Sequence, residues 1–347
     1  MVVTLGASSI HIIQSTVMLQ PIHIYPPTCT MPANPSKDLL LITSASGKQA
    51  TSLLPLLSHW RNIRLAVHSL SSQSKLQQQC PQAQVLQTDL YSPANCASLL
   101  ENVTTVLHIG PSYHPHETEI GKMMIDAAVT AYSSGNGVLE HFVLSSVLNS
   151  QFSKMLNHAC KNDIEEWLME SGLPYTILQP TTFMDNLPVN MLAGQKEPVF
   201  PAMWSTQNAF SMLALRDLAE CFKKVVEERE THFYAQYPLT STHRPITLEQ
   251  AMRVVGEKIG REVRIERLAF AEAVDALLMV TYGVEDTGMV ERRTRDAAER
   301  MVLFYNARGL VGNSNVLEWV LGRKATQFAE WVDGKLESST PGREGKT

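Results

Sequence analysis

The sequence has no excess of positive charge: 29 Lys and Arg stand against 34 Asp and Glu, a net charge of −5 over 347 residues. A protein that tracks phosphates needs a basic face, so nucleic acid is not an expected partner. Cysteine is scarce as well, with five residues (Cys29, Cys80, Cys96, Cys160 and Cys221), an odd number without a CxxC pair. That pattern argues against a disulfide framework and for free thiols in a reducing compartment, so a cytoplasmic location is expected. His114-Pro115-His116 lacks further ligands at useful spacing and reads as a solvated loop, so no metal is expected. The first 36 residues contain no Lys, Arg, Asp or Glu. Without a basic n-region or arginines this leader is neither a signal peptide nor a transit peptide, and Pro21, Pro26 and Pro27 interrupt any membrane-length apolar run. Residues 1–37 are expected to be an extension without chemistry, either disordered or preceding a start at Met31.

What is present is an α/β alternation. Hydrophobic residues make up 44% of the chain and charged ones 18%, enough to bury a core as one large domain or two lobes. Short apolar runs at 38–44, 64–68, 84–88, 103–109, 141–145 and 175–179 read as six strands. Helical patterns lie between them, near 48–59, 117–132 and 156–171, with a loop at 133–138. The helix before Gly172 has its stop signal there, and Pro174 follows. Six strands with intervening helices make a doubly wound parallel sheet over residues 38–187. Beyond Pro188, helices are expected near 215–229, 247–260, 270–281, 290–305 and 315–333. They form a smaller, mainly helical substrate lobe over 188–334, before a disordered tail, 335–347. The alternating charges from Glu291 to Arg300 suit a solvated helix face.

A turn of sequence TSASGKQA follows the first strand, from Thr43 to Ala50. In a dinucleotide site the first glycine of such a turn allows a tight bend, the second lets backbone approach the pyrophosphate, and the third lets helix pack on strand. Those positions here are Ser44, Gly47 and Ala50, and Ser44 is the departure, because its side chain narrows the cradle or donates into it. The end of the second strand offers His68, Ser69, Ser71 and Ser72, with Lys75 beyond and no acid, which favours NADP over NAD. Asn157, Lys161, Ile164 and Leu168 share one helix face, and a lysine on an apolar stripe must snorkel, pair or work. By spacing, its structural partner is Glu165, one turn on.

Together with HFVLSSV (141–147) and a run from Lys161 through Ile164-Glu165-Glu166 and SGLPYTILQP (171–180) to Phe183-Met184-Asp185-Asn186, the turn resembles the NmrA-like family. That family is an atypical branch of the short-chain dehydrogenase/reductases, related to isoflavone-reductase-like enzymes. Arg216-Asp217-Leu218-Ala219 and ITLEQA (246–251) resemble the family's later landmarks. The resemblance implies a Rossmann-type fold over about 38–333. It implies a cofactor, NADP with NAD possible, held by Ser44, Ser46, Gly47, Lys48, Gln49, His68, Asp89, Gly110, Lys161 and Phe183. For Asp89 the structural alternative is a helix cap before Ser92 and Pro93.

Lys161 matches the lysine that holds the nicotinamide ribose, but Asn157 stands where the superfamily places a catalytic Tyr. An amide orients a carbonyl but gives no proton. A Lys161 whose pKa falls on desolvation is one way round this, as in some relatives, and Tyr113 and His158 are further acids. The implied catalytic set is Lys161, Ser146 and Asn157, with Ser145 beside them, and Tyr113, Phe183 and Asn186 line the substrate. The expected function is an NADP-dependent oxidoreductase acting on a small carbonyl or conjugated-alkene metabolite, in secondary metabolism by analogy. A non-catalytic NAD(P)-sensing regulator and a cofactor-independent lyase, isomerase or cyclase are the alternatives. The partner is a small molecule rather than nucleic acid or membrane, and a homodimer is left open.

Overall fold

The computed structural model describes residues 32–134, 138–282 and 291–338. Most of the leader, part of the 133–138 loop and the tail from 339 lie outside the described residues. The first half alternates as expected: β1 (Leu39–Ile42), α1 (Lys48–Leu53), β2 (Asn62–Val67), α2 (Leu70–Gln79), β3 (Gln84–Gln87), α3 (Pro93–Leu99), β4 (Thr105–Ile109), α4 (Glu117–Ser133), β5 (His141–Ser145), α5 (Leu156–Glu170) and β6 (Tyr175–Pro180). Residues 54–57 tighten into a 3-10 turn, because Pro55 has no N–H to continue α1. Gly172 follows α5 in the left-handed region (φ 79), where a side chain would be strained.

The second half begins with β7 (Thr182–Phe183), α6 (Val189–Gly194), β8 (Val199–Ala202), β9 (Ala209–Phe210) and β10 (Met212–Leu213). It continues through α7 (Leu215–Glu228), β11 (Ala235–Leu239), β12 (Ile246–Thr247), α8 (Leu248–Ile259), β13 (Arg264–Arg267), α9 (Phe270–Tyr282), α10 (Arg292–Ala307), α11 (Asn315–Leu321) and α12 (Phe328–Ser338). The helix expected over 315–333 is two helices, because Gly322 turns left-handed (φ 69) between them. Residues 335–338, expected in the tail, are helical, since α12 runs to Ser338. The charged face of α10 is solvated on one side only, for Thr294, Ala297, Ala298, Met301, Val302 and Tyr305 are buried.

The main sheet has seven strands, not six, in the order β11-β6-β5-β4-β1-β2-β3, all parallel. The unexpected seventh is β11, whose Pro238 argues against a strand unless the strand lies at an edge, which β11 does. Its return makes residue 187 a poor boundary. Leu213, Leu215, Leu218, Phe222, Val226, Tyr237, Leu239, Leu317 and Val320 pack in one core with β1, β2 and α1, so α7, β11 and α11 belong to the sheet. The second lobe is built from α6, β8, α8, β13, α9, α10 and α12 around Phe210, Met252, Met301 and Trp331. Two buried charges tie distant segments together. Arg229 sits between Asp38 and Glu140 at the foot of the sheet. Asp217, wholly buried, accepts from Ser241 Oγ (2.6 Å) and from Thr326 N–H and Oγ (2.8 Å each). Among the described residues no helix is long and apolar enough to cross a membrane.

Candidate cofactor and active site

The crevice above the carboxyl ends of β1 and β4 is where an open parallel sheet binds ligands. Its floor starts with the turn after β1. Ser44 takes a left-handed backbone (φ 47), the conformation a glycine adopts freely, so the turn keeps its shape despite the substitution. The Gly47 N–H closes the turn on the Ser44 carbonyl at 2.9 Å. A side chain at Gly47 would crowd that same oxygen, with its first carbon 3.2 Å away. Ala50 is fully buried where α1 meets the sheet. The residues present therefore fit a dinucleotide pyrophosphate.

Two expected site residues of this turn reach across the crevice. Lys48 Nζ donates to Asn186 Oδ1 at 2.9 Å, and Ser145 Oγ donates to Gln49 Oε1 at 2.7 Å. Ser46 is exposed, and Phe183 is half-buried, packed against the sheet's core. Asp185 anchors the same segment by accepting from the Leu215 N–H (3.0 Å) and pairing with Lys335 (2.7 Å).

At the other end, Ser69 caps α2 by accepting from the Ser72 N–H (3.2 Å). Ser46, Ser72 and Lys75 line one cavity of about 910 Å³ with Arg61 and Trp60. His68 and Asp89 are exposed at the ends of β2 and β3. Asp89 is not the cap of α3, which is Ser92; it accepts instead from the Tyr91 N–H at 2.9 Å. The His114-Pro115-His116 loop is less solvated than expected. His116 stacks on Tyr91 (centroids 4.4 Å apart), and His114 is half-buried within the fields of Asp89 and His68. Burial and the His116 charge push the His114 pKa down, against the pull of Glu117 and Asp89.

Lys161 is where the geometry departs most from the spacing. It is buried as expected, but its ammonium pairs with Glu117 at 2.7 Å rather than with Glu165. Glu165 is already engaged, accepting from Ser146 Oγ, Ser150 Oγ (2.8 Å) and Gln179 Nε2 (3.0 Å). Burial lowers the Lys161 pKa, but Glu117, Cys160 and Glu165 outweigh it and hold the pKa above its usual value. Lys161 is thus a fixed cation, and the route through a lowered lysine pKa is not what this arrangement offers. The Ser146 hydroxyl donates its proton to Glu165.

Gly110 makes room for the ammonium. A side-chain carbon there would lie 3.0 Å from Lys161 Nζ, 3.5 Å from Glu117 Oε1 and 3.9 Å from His108 Nε2. His108 is fully buried, and desolvation followed by the Lys161 charge pushes its pKa down to about 3. Thr43 Oγ1 donates its one proton to the Ile109 carbonyl (3.0 Å), so His108 Nδ1 must be the donor to Thr43 Oγ1 (3.0 Å). That leaves Nε2 as a buried acceptor without a protein partner.

Asn157 and Tyr113 meet on the second lobe. Tyr113 Oη lies 2.7 Å from Met301 Sδ, and Asn157 Nδ2 lies 3.7 Å from the same sulfur. Both line a cavity of about 220 Å³ with Glu117, Cys160, Asp163 and Arg293. His158 faces elsewhere, its Nδ1 on the Asn149 carbonyl (3.0 Å) and its pKa pushed by burial down to about 4. The sequence reading missed Glu117, His108 and Met301 as members of this site. Among the described residues no group of three or more His, Cys, Asp or Glu is placed to hold a metal ion.

Comparison with known proteins places the chain among relatives. The chain is 25% identical over 251 residues to an NAD(P)H azoreductase of Xenophilus azovorans, covering 70% of this chain and 79% of that protein. The fold matches an NADPH-dependent quinone oxidoreductase from Escherichia coli solved with NADPH, with a TM-score of 0.68 and 20% identity, covering 86% of this chain and 100% of that one. It also matches NmrA, a negative transcriptional regulator solved with NAD, with a TM-score of 0.66 and 16% identity over 88% and 99% of the two chains. The model of the NmrA-like family matches residues 36–335, from just before β1 into α12, so sheet and second lobe fall within it alike and the chain belongs to the NmrA-like family.

Proposed function

We propose that this protein is an NADPH-dependent oxidoreductase that reduces a small conjugated acceptor, an enone, quinone-like carbonyl or related alkene, in the cytosol. The observation that carries the reading is the buried ammonium of Lys161 beside Gly110, at the end of β4 and across the crevice from a turn that fits a pyrophosphate. In this reading Ser44, Ser46, Gly47, Lys48 and Gln49 hold the pyrophosphate, and Ser72 and Lys75 favour NADP through its 2′-phosphate. His68, Asp89 and Gly110 flank the adenosine and ribose, and Lys161 holds the nicotinamide ribose. When bound, the dinucleotide supplies the hydride. Phe183, Asn186 and Tyr113 shape the acceptor site, and Asn157 orients the acceptor. The names of the azoreductase and the quinone oxidoreductase support a conjugated acceptor.

Calorimetric titration with NADPH and NADH, followed by NADPH oxidation against quinones, azo dyes and enones, tests the proposal. Micromolar NADPH binding with turnover is expected; absence of binding by either nucleotide overturns it. One observation favours a second reading. Asn157 supplies no acidic hydrogen and is packed on Met301, and NmrA is named as a regulator, so a dinucleotide sensor would show binding without turnover on any acceptor.

A further inference from the structure

We infer that Tyr113 supplies the proton that Asn157 cannot, and that Glu117 is the positioning residue that holds Tyr113 in register with Lys161. The inference rests on the reductase reading above and concerns the source of the acceptor's proton. On α5, Asn157 lies one turn before Lys161 on the same face, where a hydroxyl would be needed. Tyr113 comes from a different element, the loop after β4, yet its phenol and the Asn157 amide converge on one atom, Met301 Sδ. The phenol therefore occupies the space beside position 157 and lines the 220 Å³ cavity that opens there. That volume is below the range of roughly 300–1,000 Å³ that encloses a whole ligand, so the cavity takes one end of an acceptor.

The placement is held, not incidental. Tyr113 has a left-handed backbone (φ 62), which an aromatic residue keeps only when its surroundings impose it. Its N–H donates to Glu117 Oε2 (3.1 Å), and its carbonyl accepts from Thr294 Oγ1 on α10 (2.9 Å). The other Glu117 oxygen pairs with Lys161. One carboxylate thus fixes both the cation and the loop that carries the phenol. The titratable and charged groups around the phenol's cavity are His114 from the loop, Glu117 from α4, Cys160 and Asp163 from α5, and Arg293 from α10. Burial pushes the Cys160 thiol well up, so it stays protonated and does not compete as an acid.

In the step, the phenol O–H bond breaks and its proton passes to the acceptor's oxygen or nitrogen, while the conjugated partner atom takes a hydride from the reduced nicotinamide dinucleotide. The acceptor gains two electrons and two hydrogens, the dinucleotide is left oxidised, and the phenolate takes its proton back from water.

The test uses the full chain with NADPH and 1,4-naphthoquinone. Tyr113→Phe should lower kcat by about 100-fold or more while calorimetric NADPH affinity stays as in the wild type. Adding Asn157→Tyr to that variant should recover at least about tenfold, because it returns a phenol to the same space. A second readout needs no turnover. The ultraviolet difference titration of wild type against Tyr113→Phe isolates the phenol, and Glu117→Gln should move it down by about one pH unit, since losing a negative neighbour favours phenolate. A kcat within threefold in Tyr113→Phe overturns the proton assignment alone. An unmoved phenol titration in Glu117→Gln overturns the role of Glu117. A wild type that binds NADPH but reduces no acceptor overturns the reductase reading, and this inference with it.

Discussion

Lys161 and Glu117 meet at 2.7 Å with side chains only 7% and 3% exposed, so each is the other's main means of remaining charged inside the protein. Breaking such a pair from one side strands a charge, whereas removing both members need not. Lys161→Ala is therefore expected to lose NADPH affinity and also to lower unfolding stability by about 3–5 kcal/mol. Adding Glu117→Leu should recover much of the stability and none of the binding. Urea unfolding of the two single variants and the double variant measures it; strict additivity would deny the coupling.

Gly110 separates the two roles of that ammonium. Its backbone does not require glycine by conformation, but an added carbon would sit 3.0 Å from Lys161 Nζ, the movable end of a flexible chain. Gly110→Ala should thus leave the unfolding midpoint nearly unchanged and weaken NADPH binding at least about tenfold, or 1.4 kcal/mol. Calorimetry beside thermal unfolding distinguishes this from general damage.

Ser44 gives a test of the turn itself. At φ 47, Ser44→Gly relieves backbone strain but loosens the unfolded chain, so stability should change by less than about 1 kcal/mol with NADPH affinity kept or improved. Ser44→Val, β-branched at a left-handed position, should lose both. Equal behaviour of the two variants would mean the turn has no part in binding.

Stability should fall early in acid. Burial holds the pKa of His108 and of His141 down to about 3, and that of His158 down to about 4. For each, the unfolded chain binds a proton that the folded one refuses, so the stabilisation is present above about pH 6.5 and is lost as pH falls towards the folded values. Three such groups give a slope of about 4 kcal/mol per pH unit between roughly pH 6 and 4. Chemical unfolding across that range checks it; a flat profile would mean these imidazoles titrate normally.

The parallel sheet was legible because its strands are short, buried apolar runs separated by helical spacing, and that signal is local. β11 was not, because Pro238 carries a local signal against a strand and only the edge position makes it tolerable. The site divides the same way. The turn at 43–50 could be read from its glycine positions after the first strand, and the inward face of α5 from periodicity. The partner of Lys161 could not. Spacing along one helix nominates Glu165, while the real partner arrives at the start of α4 and looks like any acid in a first helical turn. Met301 is 144 residues from Asn157, a distance over which no periodicity speaks.

The late position of β11 also bears on synthesis. Until residue 239 has emerged, β6 stands as an open edge, its unpaired amides and carbonyls available to any other extended strand. A chain released at residue 187 keeps that edge open, without α7 to cover the apolar face beside it. The nascent protein therefore exposes an unpaired, aggregation-prone edge between its sixth and seventh strands, and a fragment cut at the apparent boundary would keep that exposure.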